Sequence, residues 1–187
     1  MKDFDPKRTY TSFHDHLHKA KTPKQREHLD TVMVHSSAEV AGDLPTLLGT
    51  LSEEPYYVEY GAIVSSLEDT GPKGMDAVKK YYTGMVENGS YVIESIKNRV
   101  VVADDEIVTS GSFRQVLTAH AAKSLGLVSQ DSKASDYYLL SARTIVFWDF
   151  DQNGKASGEE RYVLNHRVEP LAQEDLPSNF PAHLRKA

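Results

Sequence analysis

The chain has 187 residues and a formal net charge of −6. With 40% apolar and 26% charged residues it has the balance of a folded globular chain, long enough to bury one sizeable core. Cysteine is absent, which excludes disulfides, thiolate nucleophiles and Cys-ligated zinc, and an acidic surface without a basic stripe argues against nucleic-acid binding.

The start, Met1-Lys2-Asp3-Phe4-Asp5-Pro6, is charged with no apolar stretch behind it, and no run approaches 18 apolar residues. Neither a signal peptide nor a membrane span is expected, and a cytoplasmic location fits. Residues 1–22 are polar and weakly periodic and read as an arm. His14, His16 and His18 alternate within it. In an extended segment they share one side, where a metal can bind, but no fourth ligand stands at a set spacing and no metal is assigned.

A helix is predicted from about Pro23 to Ala41. Thr22 caps it, proline occupies its first turn, Leu29, Val32, Met33, Ser36 and Val40 recur at helical spacing, and Gly42 ends it. Asp43 caps a second helix with Pro45 in its first turn and Leu44, Leu47, Leu48 and Leu51 on its buried face. Residues 54–62 read as a strand and 64–73 as a loop. A third helix runs from about Gly74 to Glu87, with Met75, Val78, Tyr81 or Tyr82, and Met85 as its stripe, and Asn88-Gly89 closes it.

The period then changes from 3.6 to 2. Strands are predicted over 90–102, 106–119, 137–150 and 158–168, with turns at Asp104-Asp105 and Asp151-Gln152-Asn153-Gly154. The 120–136 link reads as a lid or an extended hairpin end. The tail, with Pro170, Pro177 and Pro181, is expected to wrap the surface. The domain is therefore α+β, with an arm over 1–22, one domain over 23–170 and a tail over 171–187. Both faces of the 142–150 strand carry apolar groups, which predicts either a homodimer through the sheet or a C-terminal segment covering it.

Three stretches carry a family resemblance: Val40-Ala41-Gly42-Asp43-Leu44-Pro45-Thr46-Leu47-Leu48 through Glu53, Gly74-Met75-Asp76-Ala77-Val78-Lys79-Lys80-Tyr81-Tyr82, and Phe150-Asp151-Gln152-Asn153-Gly154-Lys155 leading into Glu160-Arg161-Tyr162-Val163-Leu164-Asn165. Over residues 24–170 the chain resembles the NTF2-like superfamily and, within it, the SnoaL-like polyketide cyclase group. The resemblance implies a cone: three N-terminal helices packed on a strongly curved, mainly antiparallel sheet, often dimeric, with an open-ended pocket. Aldol cyclases, dehydratases, ketosteroid isomerases, epoxide hydrolases and binding proteins share it, so it does not choose a reaction.

His35 is the first candidate for proton transfer, with Glu39 one turn on to orient it. Ten tyrosines offer amphipathic pocket walls, and Tyr57, Tyr60 and Tyr82 are chosen from them, Tyr57 as a catalytic hydroxyl. Charged or polar residues inside strands, Arg114, Arg143, Glu160, Tyr162 and Asn165, must pair, face solvent or line a cavity. The related enzymes often carry an acid near a Tyr-Phe-Asp pattern on the last strand. Here Tyr162-Val163-Leu164-Asn165 offers none, which weakens a copied acid–base mechanism. The leading expectation is a cofactor-independent isomerase or lyase acting on a small, mostly apolar carbonyl or hydroxyl compound. A non-catalytic binding or assembly domain, or a dioxygenase small-subunit-like protein, remains as an alternative.

Overall fold

The computed structural model describes residues 3–61 and 71–186. Among them are five α-helices: α1 (Arg8–Thr11), α2 (Pro23–Ala41), α3 (Leu44–Gly49), α4 (Met75–Asn88) and α5 (Ala119–Ser124). There are five strands: β1 (Leu51–Gly61), β2 (Ile93–Val102), β3 (Glu106–Thr118), β4 (Tyr137–Phe150) and β5 (Ala156–Leu171). No helix among these residues is long and apolar enough to cross a membrane. The predicted 64–73 loop lies, apart from its last three residues, outside the described residues.

Capping chemistry sets the long helices. The Thr22 hydroxyl accepts from Gln25 N at the start of α2, Pro23 fills the first turn, and Gly42 ends the helix at φ 68°. Asp43 caps α3 through Thr46 N. Gly89, at φ 75°, closes α4, whose buried stripe is Val78, Tyr82 and Met85. The β4–β5 turn uses Gly154 at φ 71°, where an added Cβ meets the Glu27 carboxyl carbon at 2.9 Å. Gly154→Ala is therefore expected to cost about 1–2 kcal/mol in urea unfolding.

Strands β2 to β5 form the expected antiparallel meander, and β1 joins β5 in parallel, giving the order β1-β5-β4-β3-β2. The α+β class holds, but the closed cone does not. The sheet is mixed, and it is neither closed nor strongly curled. The three expected helices are present as α2, α3 and α4, with β1 between the second and the third, and two further helices join them. Two of the five, α1 and α5, have 4 and 6 residues, too short to leave a periodic trace in sequence.

The β2 edge of the sheet is covered rather than paired with a further strand. The N-terminal segment runs along it and satisfies its backbone with side chains. Thr9 Oγ1 donates to Ile93 O at 3.4 Å and accepts from Ser95 N at 3.0 Å, and Ser12 Oγ accepts from Lys97 N at 3.1 Å. His16 Nε2 lies 3.0 Å from Lys97 O, and Lys19 Nζ donates to Val100 O at 2.8 Å. An edge so covered is no longer a template for another strand. The alternating histidines accordingly lie not in an extended segment but in a 3₁₀ turn, His14–Lys19.

The main core lies between the inner sheet face and α2 and α4. A smaller cluster forms where the C-terminal segment folds over the outer face, with Leu171, Leu176 and Phe180 against Val92, Val116 and Tyr137. The Tyr137 hydroxyl ties that segment down, donating to Leu184 O at 3.0 Å and accepting from Lys186 N at 2.7 Å.

Candidate active site

A cavity of about 660 Å³ lies between the inner sheet face and α2, α4 and α5. That is a typical size for a small-molecule site, roughly 300–1,000 Å³. Its floor is mainly apolar, with Ile93, Phe113, Leu140, Ala142 and Val163. Met85 of α4, Ala121 of α5, and Leu125 and Leu127 beyond α5 add to the walls.

The polar end is built by strand register. Tyr57 and Glu59 of β1 stand opposite Glu159 and Arg161 of β5, which in turn face Trp148 and Val146 of β4. All four line the cavity, and α2 brings Glu39 to the same wall. Arg161 is ion-paired with Glu59, and its guanidinium carbon sits 5.5 Å from the Phe113 ring centroid. Glu39 and Glu159 have no hydrogen-bond or ion-pair partner among the described residues.

Burial, and then the nearby Glu39 charge, push the Glu159 carboxyl up to about 8, against the pull of Arg161 and Lys97. Burial also raises Glu39, with Lys97 and Arg161 opposing. Two carboxyls thus share one low-dielectric space, and ionising one makes it harder to ionise the other. Lys97, on the inner face of β2, is itself pushed down to about 8 by burial.

Behind this wall runs a chain of hydroxyls. The Thr50 hydroxyl donates to Leu47 O at 2.6 Å, which leaves it to accept from His35 Nδ1 at 2.9 Å. In that tautomer His35 Nε2 accepts from the Tyr82 hydroxyl at 3.1 Å, and the Tyr82 oxygen lies 3.2 Å from the Tyr57 hydroxyl. Tyr57 and Tyr82 line the cavity and are 7% and 3% exposed. The Tyr57 hydroxyl can donate to the Tyr82 oxygen or turn its proton to a ligand in the cavity. Burial raises both tyrosines, so they act as neutral donors.

His35 is fully buried and does not line the cavity. Burial, followed by the Lys97 charge, pushes its pKa down from 6.5 to about 4. As pH falls below 6.5 the unfolded chain takes up this proton and the folded one does not, so His35 removes stability until about pH 4. The loss is expected to reach on the order of 3 kcal/mol. Glu159 acts in the opposite sense between pH 4.5 and 8, and the raised Glu39 acts in the same direction as Glu159. The His35 share is therefore read as the difference in pH-dependent urea stability between the wild type and His35→Gln, and a constant difference from pH 7 to 4 would refute it.

Of the residues expected at the site, Glu39, Tyr57 and Tyr82 reach the cavity, and His35 stands one hydrogen bond behind it. Glu39 was expected to orient His35, but the imidazole is held by Thr50 and Tyr82 instead. The other six lie outside the cavity lining. Tyr60 stacks on Tyr162 at 4.9 Å, and the Tyr162 hydroxyl donates to Glu160, all on the outer sheet face. Arg114 pairs with buried Glu94, while Arg143 is exposed and donates to Asn98 Oδ1 at 3.2 Å. Asn165 is exposed on the same side, opposite Arg143.

The error has one physical origin. In β5 four of the five even positions from 156 to 164, Ala156, Gly158, Tyr162 and Leu164 but not Glu160, look like the buried phase, yet Glu159, Arg161 and Val163 face inward. Where a sheet face lines the polar end of a cavity, the usual apolar-in pattern inverts locally. Glu159, Arg161, Glu59 and Gln115 were therefore missed. The one available signal was Glu159 and Arg161 sharing a phase with Val163.

No protein-family model matches the chain, and no curated protein does. Solved structures do match. An NTF2-like protein of unknown function from Burkholderia pseudomallei is 16% identical, covering 73% of this chain and 90% of that one at a TM-score of 0.53. A Mycobacterium tuberculosis protein in complex with estradiol-17β-hemisuccinate is 12% identical, covering 72% and 92%, TM-score 0.54. The epoxide hydrolase/cyclase-like enzyme SalBIII, of pyran ring formation in the polyether salinomycin, is 8% identical, covering 74% and 91%, TM-score 0.52. The chain has the broad NTF2-like fold.

Proposed function

We propose that the chain is a cofactor-independent enzyme that moves a proton beside the carbonyl of a small, mostly apolar compound, leading to isomerisation, cyclisation or loss of water. The observation that carries this is the pair of partnerless carboxyls, Glu39 and Glu159, facing one largely apolar cavity. Ionised Glu39 takes the proton from the carbon next to the carbonyl. The released electron pair moves onto the carbonyl oxygen, where the Tyr57 hydroxyl and protonated Glu159 donate to it. Return of the proton to another carbon completes an isomerisation, and its delivery to a departing hydroxyl completes a dehydration. The steroid ester held by one structural neighbour and the ring formed by another favour a ring compound as substrate.

The test is exchange of α-protons for deuterium in D₂O, followed by NMR over a panel of ring ketones. At least one ketone is expected to exchange faster than in buffer, with the gain lost in Glu39→Gln. A panel that exchanges no faster than in buffer, yet raises the melting temperature, would identify a binding domain instead.

The outer face carries Tyr60, Phe147 and Tyr162 as one aromatic group. In the same reading it meets a second copy of the chain. Light scattering is expected to give the dimer mass, and Phe147→Lys to give the monomer.

A further inference from the structure

We infer that the cavity is two-ended: it takes a compound whose carbonyl lies between Glu39 and Glu159 and whose hydroxyl, on the order of 10 Å away, is received by Gln115. The inference rests on the carbonyl chemistry proposed above and adds the other half of the substrate.

Gln115 lines the cavity from β3 and is 9% exposed. Its Nε2 donates to Ser90 O at 2.6 Å, which fixes the amide, because only the nitrogen end can donate to a carbonyl. Its Oε1 has no partner among the described residues and is not sealed from the cavity. Asn88 lines the same end, and its Oδ1 is committed to Ser90 N at 2.9 Å, leaving its amide nitrogen as a donor. An acceptor beside a donor is answered by a hydroxyl, which does both. A carboxylate has no proton for Gln115 Oε1 and would face its lone pairs.

The separation follows from the strands. The Arg161 guanidinium carbon, at the carboxyl end, is 5.5 Å from the Phe113 ring. Gln115 stands two residues further along β3, about 7 Å at the rise of an antiparallel strand. The floor between is hydrocarbon: Ile93, Phe113, Leu140 and Ala142. A nearly buried amide oxygen left without a donor is costly, so a ligand lacking the hydroxyl is penalised.

The probe is 4-(4-hydroxyphenyl)cyclohexanone, a rigid ketone with its hydroxyl at the opposite end, compared with 4-phenylcyclohexanone by calorimetry. The wild type is expected to bind the hydroxylated probe at least about tenfold more tightly, and Gln115→Leu to abolish the preference. Equal affinities in the wild type, a preference that survives in Gln115→Leu, or no binding of either probe up to its solubility limit would each overturn the inference. The wild-type comparison needs no variant, so a poorly folded Gln115→Leu does not shelter it. Proton exchange on the same samples separates the two ideas. Exchange with both ketones and no hydroxyl preference leaves the proton-transfer function and removes the hydroxyl end. A preference without exchange does the reverse.

Discussion

Replacing Glu159 with Gln is expected to slow α-proton exchange by about 10²–10⁴-fold, the usual span for losing a positioned acid or base. Gln keeps the shape and a hydrogen-bond donor but cannot pass a proton to the carbonyl oxygen, as protonated Glu159 does in this proposal while the enol forms. Glu39→Gln is expected to fall in the same range, and the double variant to be little worse than either, because the two carboxyls act on one proton path. The pH profile carries more information than the rate. Activity in the wild type is expected to fall above about pH 8, as Glu159 loses its proton. Glu159→Gln has no such alkaline limb.

Stability gives an independent reading of the same residue. The folded pKa of Glu159 stands above its unfolded value, so its contribution is fully present below about pH 4.5 and is lost as pH rises through 8. Glu159→Gln is therefore expected to raise the melting temperature at pH 8 while lowering activity. A carboxyl kept for packing alone behaves otherwise: its loss lowers stability and leaves the alkaline limb unchanged.

Arg114→Met is expected to cost about 3–5 kcal/mol of folding stability, measured by urea unfolding at pH 7. The Glu94 side chain is 1% exposed, and the Arg114 guanidinium grips its carboxylate through Nε at 2.5 Å and through a second ion-paired nitrogen. Removing the arginine leaves a buried charge with only Asp5 N at 3.0 Å and the partly exposed Arg8 at 3.4 Å. Arg114 also holds Asp3, so its loss loosens the segment that covers the β2 edge. Neutralising both partners, as Glu94→Gln with Arg114→Met, is expected to recover part of the loss. A cost below about 1 kcal/mol would mean that the pair behaves as a solvated one.

Arg114 also shows how sequence reasoning narrowed the choices without closing them. A charge inside a strand had to pair, face solvent or line a cavity, and only the fold shows that it pairs. The same holds for the tyrosines. All ten were legible as amphipathic walls, yet Tyr57 and Tyr60, three residues apart on β1, face opposite sides of the sheet. Tyr82 rather than Tyr81 is buried on α4 because the helix turns it toward the strands. Glu39 was visible as a candidate through its spacing from His35, but its true neighbours, Glu159 and Arg161, lie 120 or more residues further along the chain.

By itself the sequence determined what short-range chemistry can fix. Thr22, Asp43, Gly42 and Gly89 set the helix ends, period-2 runs set the strands, and Asp151 to Gly154 set the last hairpin, since each acts within a few residues. The tertiary structure alone decided three things: that β1 runs parallel to β5, that the sheet stays open, and that Glu39 and Glu159 share one cavity. Pairing between distant strands leaves no local mark, and which phase of a strand faces inward depends on what the opposite wall leaves empty.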